Sequence, residues 1–561
     1  MVKQKNLMKT NLKIKTYVSS NVGWSRISYK SAFLWIKGYF YNTDPKRILV
    51  ALFEKQNNLS EIKKILNTID GHYGLIYQNK NIAIISVDKI SSIPIYYLHD
   101  KNKKIFYVYS NSLNSSKKTE LKKINDISTS VFSMSGYTIG SETLLSGVKL
   151  LEPGKFIYQK DNKLRIESFF LYEPWNIIID EKPRLKIELQ KTILRNIGNL
   201  INSVNNRPIV IPLSGGIDSR LIASVVRFLG YKNVYCFSYG SKNNFESKVS
   251  ESIAKKLNFK WFFVEHTIAN QKNFFTSSLV SDYEQYADNF SSIPYHQDLF
   301  SINYLKRKKL IPTNSVIVNG NSGDFISGNH LPSAFLQKMD YQKTDSERLE
   351  EILNFYIEKH YSLWNDLKSN KSINDIKRKL IDSLKTVNYR FDHPENSHGI
   401  YEFLEFRDRQ CKYVVNGQRI YEFLGYDWRL PLWNNDFIDF FENIPLRFKL
   451  NQNLYRETIL DNDWGGVWRK IPINKSVVKP YSINLLRNLL KPLFFFSKKK
   501  WGEFDKRYLA YWYHARRVYA SKNYQDIIKE KRGFRNPVSF STERYLNRRG
   551  LDHSGKIVAQ P

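Results

Sequence analysis

Cysteine is nearly absent: the 561 residues hold two, Cys236 and Cys411, far apart and in no metal-ligand spacing. That excludes a disulfide framework and a zinc site as organising principles, and it fits a reducing compartment. Long apolar runs are missing as well. No stretch of ~18 apolar residues occurs, so no membrane-spanning helix is expected. The start, Met1-Val2-Lys3-Gln4-Lys5, leads into polar residues without the apolar segment of a secretory signal. A cytoplasmic enzyme is the expectation. Acidic residues are in deficit, 53 against 87 basic ones, for a formal net charge of +34.

Such a charge suits an anionic partner: nucleic acid, an anionic membrane surface or a phosphorylated substrate. It also follows from a Lys-, Asn- and Ile-rich composition, and the scatter of basic residues through most segments favours that simpler account. Residues 1–30 carry seven Lys/Arg and no Asp or Glu, and the segment after residue 475 is also basic. What is present is ample for folding. Hydrophobic residues make up 42%, with 36 Tyr and 35 Phe, which argues against disorder. The length exceeds one ordinary core, so two or three domains are expected.

Residues 31–170 read as short strands between polar turns, for example Phe33–Ile36, Tyr73–Tyr77, Ile82–Val87 and Ile105–Tyr109. This predicts an antiparallel β-rich domain. The pattern changes near Pro183, where Leu185, Leu189, Ile193 and Ile197 mark one face of a helix. Strand-like Ile209–Ile211, Val234–Tyr239 and Trp261–Val264 then alternate with helix-like 218–229 and 248–257, and Val316–Val318 follows. Strand–helix–strand alternation predicts right-handed crossovers and a parallel sheet. The domains expected are 1–178, 179–475 and a basic, aromatic extension over 476–561.

The strongest local signal is Ile209-Val210-Ile211-Pro212-Leu213-Ser214-Gly215-Gly216-Ile217-Asp218-Ser219-Arg220. A buried-type strand ends in Ser-Gly-Gly, and a helix begins at Asp218. Two glycines let the backbone approach an anion and aim N–H groups at it, and the helix N-terminus adds its positive end. Ser214 and Ser219 can donate to phosphate oxygens, and Asp218 suits a bridging Mg²⁺. The plain alternative is a turn whose glycines permit positive φ and whose Asp218 caps a helix. The position at the C-terminal end of a parallel strand weighs against it, because open α/β sheets bind ligands there. A Walker loop is excluded, since no Gly-Lys-[Ser/Thr] ending is present.

Ser-Gly-Gly-x-Asp-Ser resembles the signature of the ATP pyrophosphatase loop family, whose members cleave ATP between the α- and β-phosphates. Within that group the chain resembles asparagine synthetase. Asn319-Gly320-Asn321-Ser322-Gly323-Asp324-Phe325 is similar to the family's Gly-x-Gly-x-Asp-Glu segment, with its second glycine one position late. Gly425-Tyr426-Asp427-Trp428-Arg429-Leu430-Pro431 is similar to its Gly-x-Glu-x-Arg-x-Pro stretch. The resemblance implies ATP and Mg²⁺, the ion held by Asp218 and Asp324, and ATP or pyrophosphate on Leu213, Ser214, Gly215, Gly216, Ser219, Ser238, Asn319 and Gly320. It makes Arg429 a candidate for orienting phosphate or a substrate carboxylate, with a structural ion pair the alternative, and puts Arg456 near the pyrophosphate. Asp70-Gly71-His72-Tyr73, Asp88-Lys89 and Leu151-Glu152-Pro153-Gly154 resemble segments of the family's N-terminal amidohydrolase-like sandwich. The implied fold is such a sandwich followed by an adenine nucleotide hydrolase-like synthetase domain.

Three departures qualify the resemblance. The glutamine-dependent members use an N-terminal cysteine, and this chain has Val2. No glutaminase activity is expected, so the nitrogen would come from free ammonia, a separate glutaminase or the substrate. Asn321 stands where the family carries a Glu and cannot act as a base, and Phe325 replaces another Glu, which leaves the acceptor open. Arg220 follows the loop directly, to reach phosphate or to face solvent.

The implied reaction adenylates a carboxylate, aspartate by default and a sugar uronate or other carboxylate in other pathways, and passes it to an amine. Two competing readings are a nucleotide-binding scaffold that has lost the chemistry and an RNA-modifying enzyme. The second suits the charge but lacks the usual Cys-x-x-Cys. No DNA partner is expected. Ser482–Trp501 is apolar, basic and aromatic, and it suits either the surface of an anionic membrane or, more simply, a helix packed on the synthetase domain. Pro492 would interrupt a single helix there.

Overall fold

The computed structural model describes residues 13–18, 23–110, 124–177, 181–333, 343–389, 398–473, 480–514 and 522–558. Val2, on which the expectation about glutaminase rests, lies outside the described residues. The chain divides into two compact units. The first comprises Met1–Ser128, Thr138–Leu171 and Asn289–Ser291, and the second Thr129–Tyr137, Tyr172–Asp288 and Ser292–Pro561. The basic extension is part of the second unit.

The first unit holds two sheets. Six antiparallel strands run in the order Lys163–Ser168, Lys155–Lys160, Ile82–Val87, Gly71–Gln78, Ala32–Phe40 and Ser25–Tyr29. Four more run Lys13–Tyr17, Ile105–Tyr109, Tyr96–Asp100 and Lys149–Leu150. Here the antiparallel expectation fails once, because Lys13–Tyr17 pairs parallel with Ile105–Tyr109. Helices also interrupt the strands expected over 31–170, at Pro45–Lys55, Leu59–Thr68 and Asp126–Ser135. Asp44 caps Pro45–Lys55 and Asn58 caps Leu59–Thr68 through their side chains, with a proline in the first turn of the first helix. Their apolar residues Leu49, Leu52, Ile62 and Leu66 close the core over Leu34, Leu75 and Ile84 of the larger sheet. Asp88 is structural: its buried carboxylate accepts from the backbone N–H groups of Tyr73 and Ile90, both at 2.8 Å.

The second unit is built on five parallel strands in the order Lys260–Glu265, Val234–Gly240, Ile209–Pro212, Val316–Val318 and Asp427–Arg429. Ile209, Val210 and Ile211 are fully buried, as a central strand covered on both faces requires. In chain order the sheet reads 3-2-1-4-5. The direction of winding therefore reverses between Ile209–Pro212 and Val316–Val318, the position where open α/β sheets form a ligand crevice. The amphipathic helix is Lys182–Ser203, with Leu185, Leu189, Ile193 and Ile197 buried.

The expectation that the basic segment packs as a helix is corrected. Tyr481–Leu490 is helical and gives way to a 3₁₀ turn at Lys491–Phe494 where Pro492 falls, yet neither buries a residue. Packing resumes only afterwards. Tyr511, Ile527, Phe534 and Phe540 form a cluster with Leu363 and Trp364. Among the described residues no helix is long and apolar enough to cross a membrane.

Buried histidine makes the second unit acid-sensitive. His296 Nε2 lies 2.9 Å from Glu284 Oε1, but Glu284 is also engaged by Arg544 and Arg548. Burial, then the Arg544 charge, pushes His296 down to about 3. Its folded value lies below the unfolded value of ~6.5, so its contribution to stability is present above pH ~6.5 and is lost as pH falls towards ~3. By pH ~5 the loss is about 2 kcal/mol. Thermal melts at pH 7.5 and pH 5 should show a drop in Tm that shrinks in His296→Gln. An equal drop in the two proteins would contradict this assignment.

Candidate active site

The turn after Ile209–Pro212 delivers Asp218 as the first residue of the helix Asp218–Phe228, which has no side-chain cap. Its first N–H groups therefore face the end of the strand rather than a capping oxygen. Within the turn, Ser214 N–H donates to Ser219 Oγ at 3.0 Å, Gly216 N–H donates to Ser214 Oγ at 3.1 Å, and the two hydroxyls lie 3.1 Å apart. The result is a compact loop edged with hydroxyls and N–H groups.

The turn after Val316–Val318 meets this loop directly. A Cβ on Gly320 would lie 2.9 Å from Ser219 N, and one on Gly323 would lie 2.6 Å from the Asp218 carboxylate. The two glycines are required by this approach, and it places the two aspartates together. Asp324 N–H donates to Asp218 Oδ2 at 3.0 Å. Tyr455 OH, from the helix Asn453–Asn462, donates to Asp218 Oδ1 at 3.2 Å. Burial, then the neighbouring Asp324 charge, raises the Asp218 carboxyl far above the usual carboxylate range. Burial pushes Asp324 the same way, but the bond from His330 and its charge bring it below its ordinary value. Asp324 keeps 45% of its side chain accessible.

A cationic wall stands behind Asp324. His330 Nε2 is 3.1 Å from Asp324 Oδ2, and its Nδ1 is 2.5 Å from Glu405 Oε1. Burial opposes the charge on His330, but Glu405 and Asp324 on either side raise it to about 9. Glu405 is fully buried and also receives Arg409 at 3.1 Å and Gln410 at 3.0 Å. It sits in a π-helical stretch, Glu405–Val414. Such bulges turn side chains off the regular helical faces and recur at functional sites.

Asp218, Asp324, His330 and Arg409 line one cavity of about 560 Å³, within the range of small-molecule and cofactor sites. Leu213, Ser214, Gly216, Asp218, Ser219, Ser238, Asn319, Gly320, Asn321, Asp324 and Arg456 all border it. On the far side, Tyr239 OH donates to Asp298 Oδ1 at 2.8 Å and Tyr421 OH donates to Asp298 Oδ2 at 2.7 Å. Asn319 Nδ2 also bonds Tyr421 OH, which fixes the strand end at Asn319. Ser238 Oγ is buried at the cavity wall without a hydrogen-bond partner among the described residues.

Three residues go elsewhere. Arg429 does not reach the cavity. It lies on the edge strand, where its guanidinium donates to Ser203 Oγ at 2.9 Å and to the Ser203 carbonyl at 3.0 Å, tying strand to helix. Gly215 does not border the cavity; its carbonyl accepts from Arg220 Nη2 at 3.0 Å. Arg220 neither faces solvent nor reaches the cavity. It is fully buried beneath the loop. Sequence reasoning missed His330, Glu405, Arg409 and Tyr455. For Glu405 and Arg409 the available signal was Glu405-Phe406-Arg407-Asp408-Arg409, a run of both charge signs that follows the apolar and aromatic Tyr401, Phe403 and Leu404.

The residues fit a magnesium ion. Two hard carboxylates meet at the loop, and burial, then the Asp324 charge, raises Asp218, a cost to the ionised form that a bound cation would offset. Among the described residues no group of three or more His, Cys, Asp or Glu is arranged to hold a metal alone. Mg²⁺ held by one or two carboxylates together with substrate phosphates needs no such cage.

No curated protein matches the chain. Among solved structures, glutamine phosphoribosylpyrophosphate amidotransferase from B. subtilis, complexed with ADP and GMP, is similar at 9% identity and a TM-score of 0.18, covering 52% of this chain and 62% of that one. This chain thus spans less than two thirds of that protein. An NH3-dependent NAD synthetase from Campylobacter jejuni, in complex with the nitrate ion, is similar at 15% identity and a TM-score of 0.19, covering 38% of this chain and all of that one. Scores this low carry no argument. The asparagine synthase family model matches residues 201–459, the stretch that carries Ser214, Asp218, Asp324 and Arg456. That match supports an asparagine synthetase-like domain in the second unit.

Proposed function

We propose that the second unit is an ATP-dependent carbon–nitrogen ligase that adenylates a carboxylate and transfers it to ammonia or an amine. The observation that carries this reading is the contact of Asp218 with Asp324 across the switch point of the sheet, inside a cavity of about 560 Å³. The glycine turn at 214–219 offers N–H and hydroxyl donors to the β- and γ-phosphates, and Arg456 adds charge where pyrophosphate leaves. Ser238 and the Asn319–Gly320 backbone are the adenine side. Mg²⁺ held by Asp218 and Asp324 would supply charge stabilisation at the phosphates. The positive wall of His330 and Arg409 suits a substrate carboxylate aligned for attack on the α-phosphorus, with pyrophosphate as leaving group. Alignment of the two reacting groups is the protein's main contribution. Attack of nitrogen on the acyl carbon then releases AMP.

Aspartate is the default substrate and sugar uronates are the next class. Neither thiol of this chain serves as a glutamine nucleophile. Cys236 and Cys411 are buried, and burial pushes the Cys236 thiol far up. We read the first unit as a degenerate amidotransferase-like sandwich and ammonia, free or from a separate glutaminase, as the nitrogen source. The second reading, a nucleotide-binding scaffold, is favoured by Asn321, which borders the cavity and cannot take a proton from the amine. ATP–pyrophosphate exchange over a panel of carboxylates tests the proposal. Exchange with one carboxylate, followed by ammonia-dependent AMP release, is the expected result. Tight ATP binding without exchange on any carboxylate would favour the scaffold.

A further inference from the structure

Within the second unit the segment Tyr481–Phe504 forms an excursion whose helices and 3₁₀ turn bury no residue. Its base is fixed: Arg487 pairs with Asp505 through two bonds of 2.7 and 2.8 Å. Inside the excursion Phe494, Trp501 and Phe504 pack on one another, with ring centroids 5.0 to 6.1 Å apart. This small aromatic cluster gives the excursion its own shape. The chain then re-enters the core at Leu509, Ala510 and Tyr511, all buried.

Its outer surface is the reverse of what a solvated face requires. Leu485, Leu489 and Leu493 recur every four residues and are 62%, 66% and 64% exposed. Phe495 and Phe496 stand next to them, 89% and 62% exposed. Scattered apolar residues on a surface need no explanation, but a contiguous stripe ending in two phenylalanines marks an interaction site. The charge around the stripe says what it meets. Residues 481–500 carry five Lys/Arg and no Asp or Glu. Lys491, Lys498, Lys499 and Lys500 are exposed and form no ion pair among the described residues.

We propose that this excursion docks on the surface of an anionic lipid bilayer, with Leu485, Leu489, Leu493, Phe495 and Phe496 entering the headgroup boundary and the four lysines meeting lipid phosphates. An apolar stripe flanked by unpaired lysines is the pattern of an interfacial helix, in which buried apolar area and attraction to anionic lipid add. An acidic protein groove would satisfy the lysines but would leave the leucine stripe and the two adjacent exposed phenylalanines without an apolar partner. The inference is independent of the reaction assigned to the cavity.

Co-sedimentation of the full chain with vesicles tests it, comparing phosphatidylcholine alone with an equimolar mixture of phosphatidylcholine and phosphatidylglycerol. The chain is expected on the mixed vesicles and not on the neutral ones, with binding weakened by salt. Each lysine near such a surface is worth roughly fivefold in partitioning. The triple change Lys498→Gln, Lys499→Gln, Lys500→Gln should therefore lower binding about a hundredfold. Phe495→Ser with Phe496→Ser should abolish it with Tm unchanged, since both side chains are exposed. Equal binding to both vesicles, or retention of binding by the phenylalanine variant, would overturn the proposal. So would absence of vesicle binding together with self-association that the phenylalanine variant loses, which would assign the stripe to a second copy of the chain.

Discussion

Asp218→Asn should lower ATP–pyrophosphate exchange at least a thousandfold while leaving the fold intact or slightly more stable. The activity loss follows from charge. Asn keeps the shape: its oxygen can still accept from Asp324 N–H, and its amide N–H can donate to the Tyr455 oxygen where the carboxylate had accepted, but it removes one of the two carboxylates available to a cation at the phosphates. Stabilisation of the transferring phosphates by a bound metal is worth several kcal/mol, and about 4 kcal/mol corresponds to roughly a thousandfold. The stability change has the opposite sign. Burial and the neighbouring Asp324 raise the folded Asp218 value above its unfolded one. A carboxyl raised in this way binds its proton more tightly when folded, so its contribution is lost as pH rises through the folded value. With the folded value raised to about 8, folding at neutral pH must take up a proton at Asp218, and Asn removes that cost. Gly323→Ala is the steric companion. Its methyl would lie 2.6 Å from the same carboxylate and 2.5 Å from Leu432 Cδ1. Exchange should collapse there too, now with a lower Tm. Retention of exchange within tenfold in Asp218→Asn would remove this residue from the chemistry.

The opposite signs explain which parts of the molecule could be read in advance. Four strands of the parallel sheet were legible because each is a short apolar run flanked by helical periodicity, a purely local pattern. The phosphate loop was legible for the same reason: Ser214 to Ser219 are contiguous, and the glycines have one physical use there. Tyr455 and His330 follow no such local pattern. Tyr455 reaches Asp218 from a distant helix, and His330 turns back onto Asp324 through an irregular turn six residues on, so no periodic pattern reports either contact. Glu405 and Arg409 were hidden in a different way. A charge run in a helix ordinarily reads as a solvated face, and only the π-helical stretch turns these side chains inward. Arg429 misled in the other direction. An Arg-x-Pro stretch suggests an oxyanion site, but a fifth strand forms at Asp427–Arg429 and carries the guanidinium to the Ser203 backbone instead. The exposed stripe at 485–496 was visible as composition, but whether it packed could not be read, because exposure depends on what the rest of the chain leaves uncovered.

Arg220→Met should cost about 4 kcal/mol of stability and raise the KM for ATP by tenfold or more. Arg220 is fully buried, and no carboxylate pairs with it among the described residues. Its charge is instead spread over carbonyls. Nη1 donates to Ile471 O at 3.0 Å and Val467 O at 3.4 Å, while Nη2 donates to Pro472 O at 2.8 Å and Gly215 O at 3.0 Å. Trp468 lies against the guanidinium, 5.3 Å from ring centroid to Cζ. Burial pushes Arg220 down to about 10, so it remains a cation at neutral pH. One planar fork thus clamps the glycine turn to the segment 467–472. Met fills the volume but leaves the carbonyls without a donor, and each unsatisfied group costs roughly 1–3 kcal/mol. Removal of the buried charge offsets part of this, which sets the net figure near about 4 kcal/mol rather than higher. The effect on nucleotide binding follows because Gly215 belongs to the turn whose neighbours meet phosphate. Arg220→Lys is the discriminating control: a point charge cannot serve four acceptors in a plane, so it should recover little of the KM effect while keeping the charge. Melting curves and ATP dependence of exchange in both variants check the claim. Wild-type values of Tm and KM in Arg220→Met would show that the loop is held by its own hydroxyl bonds alone.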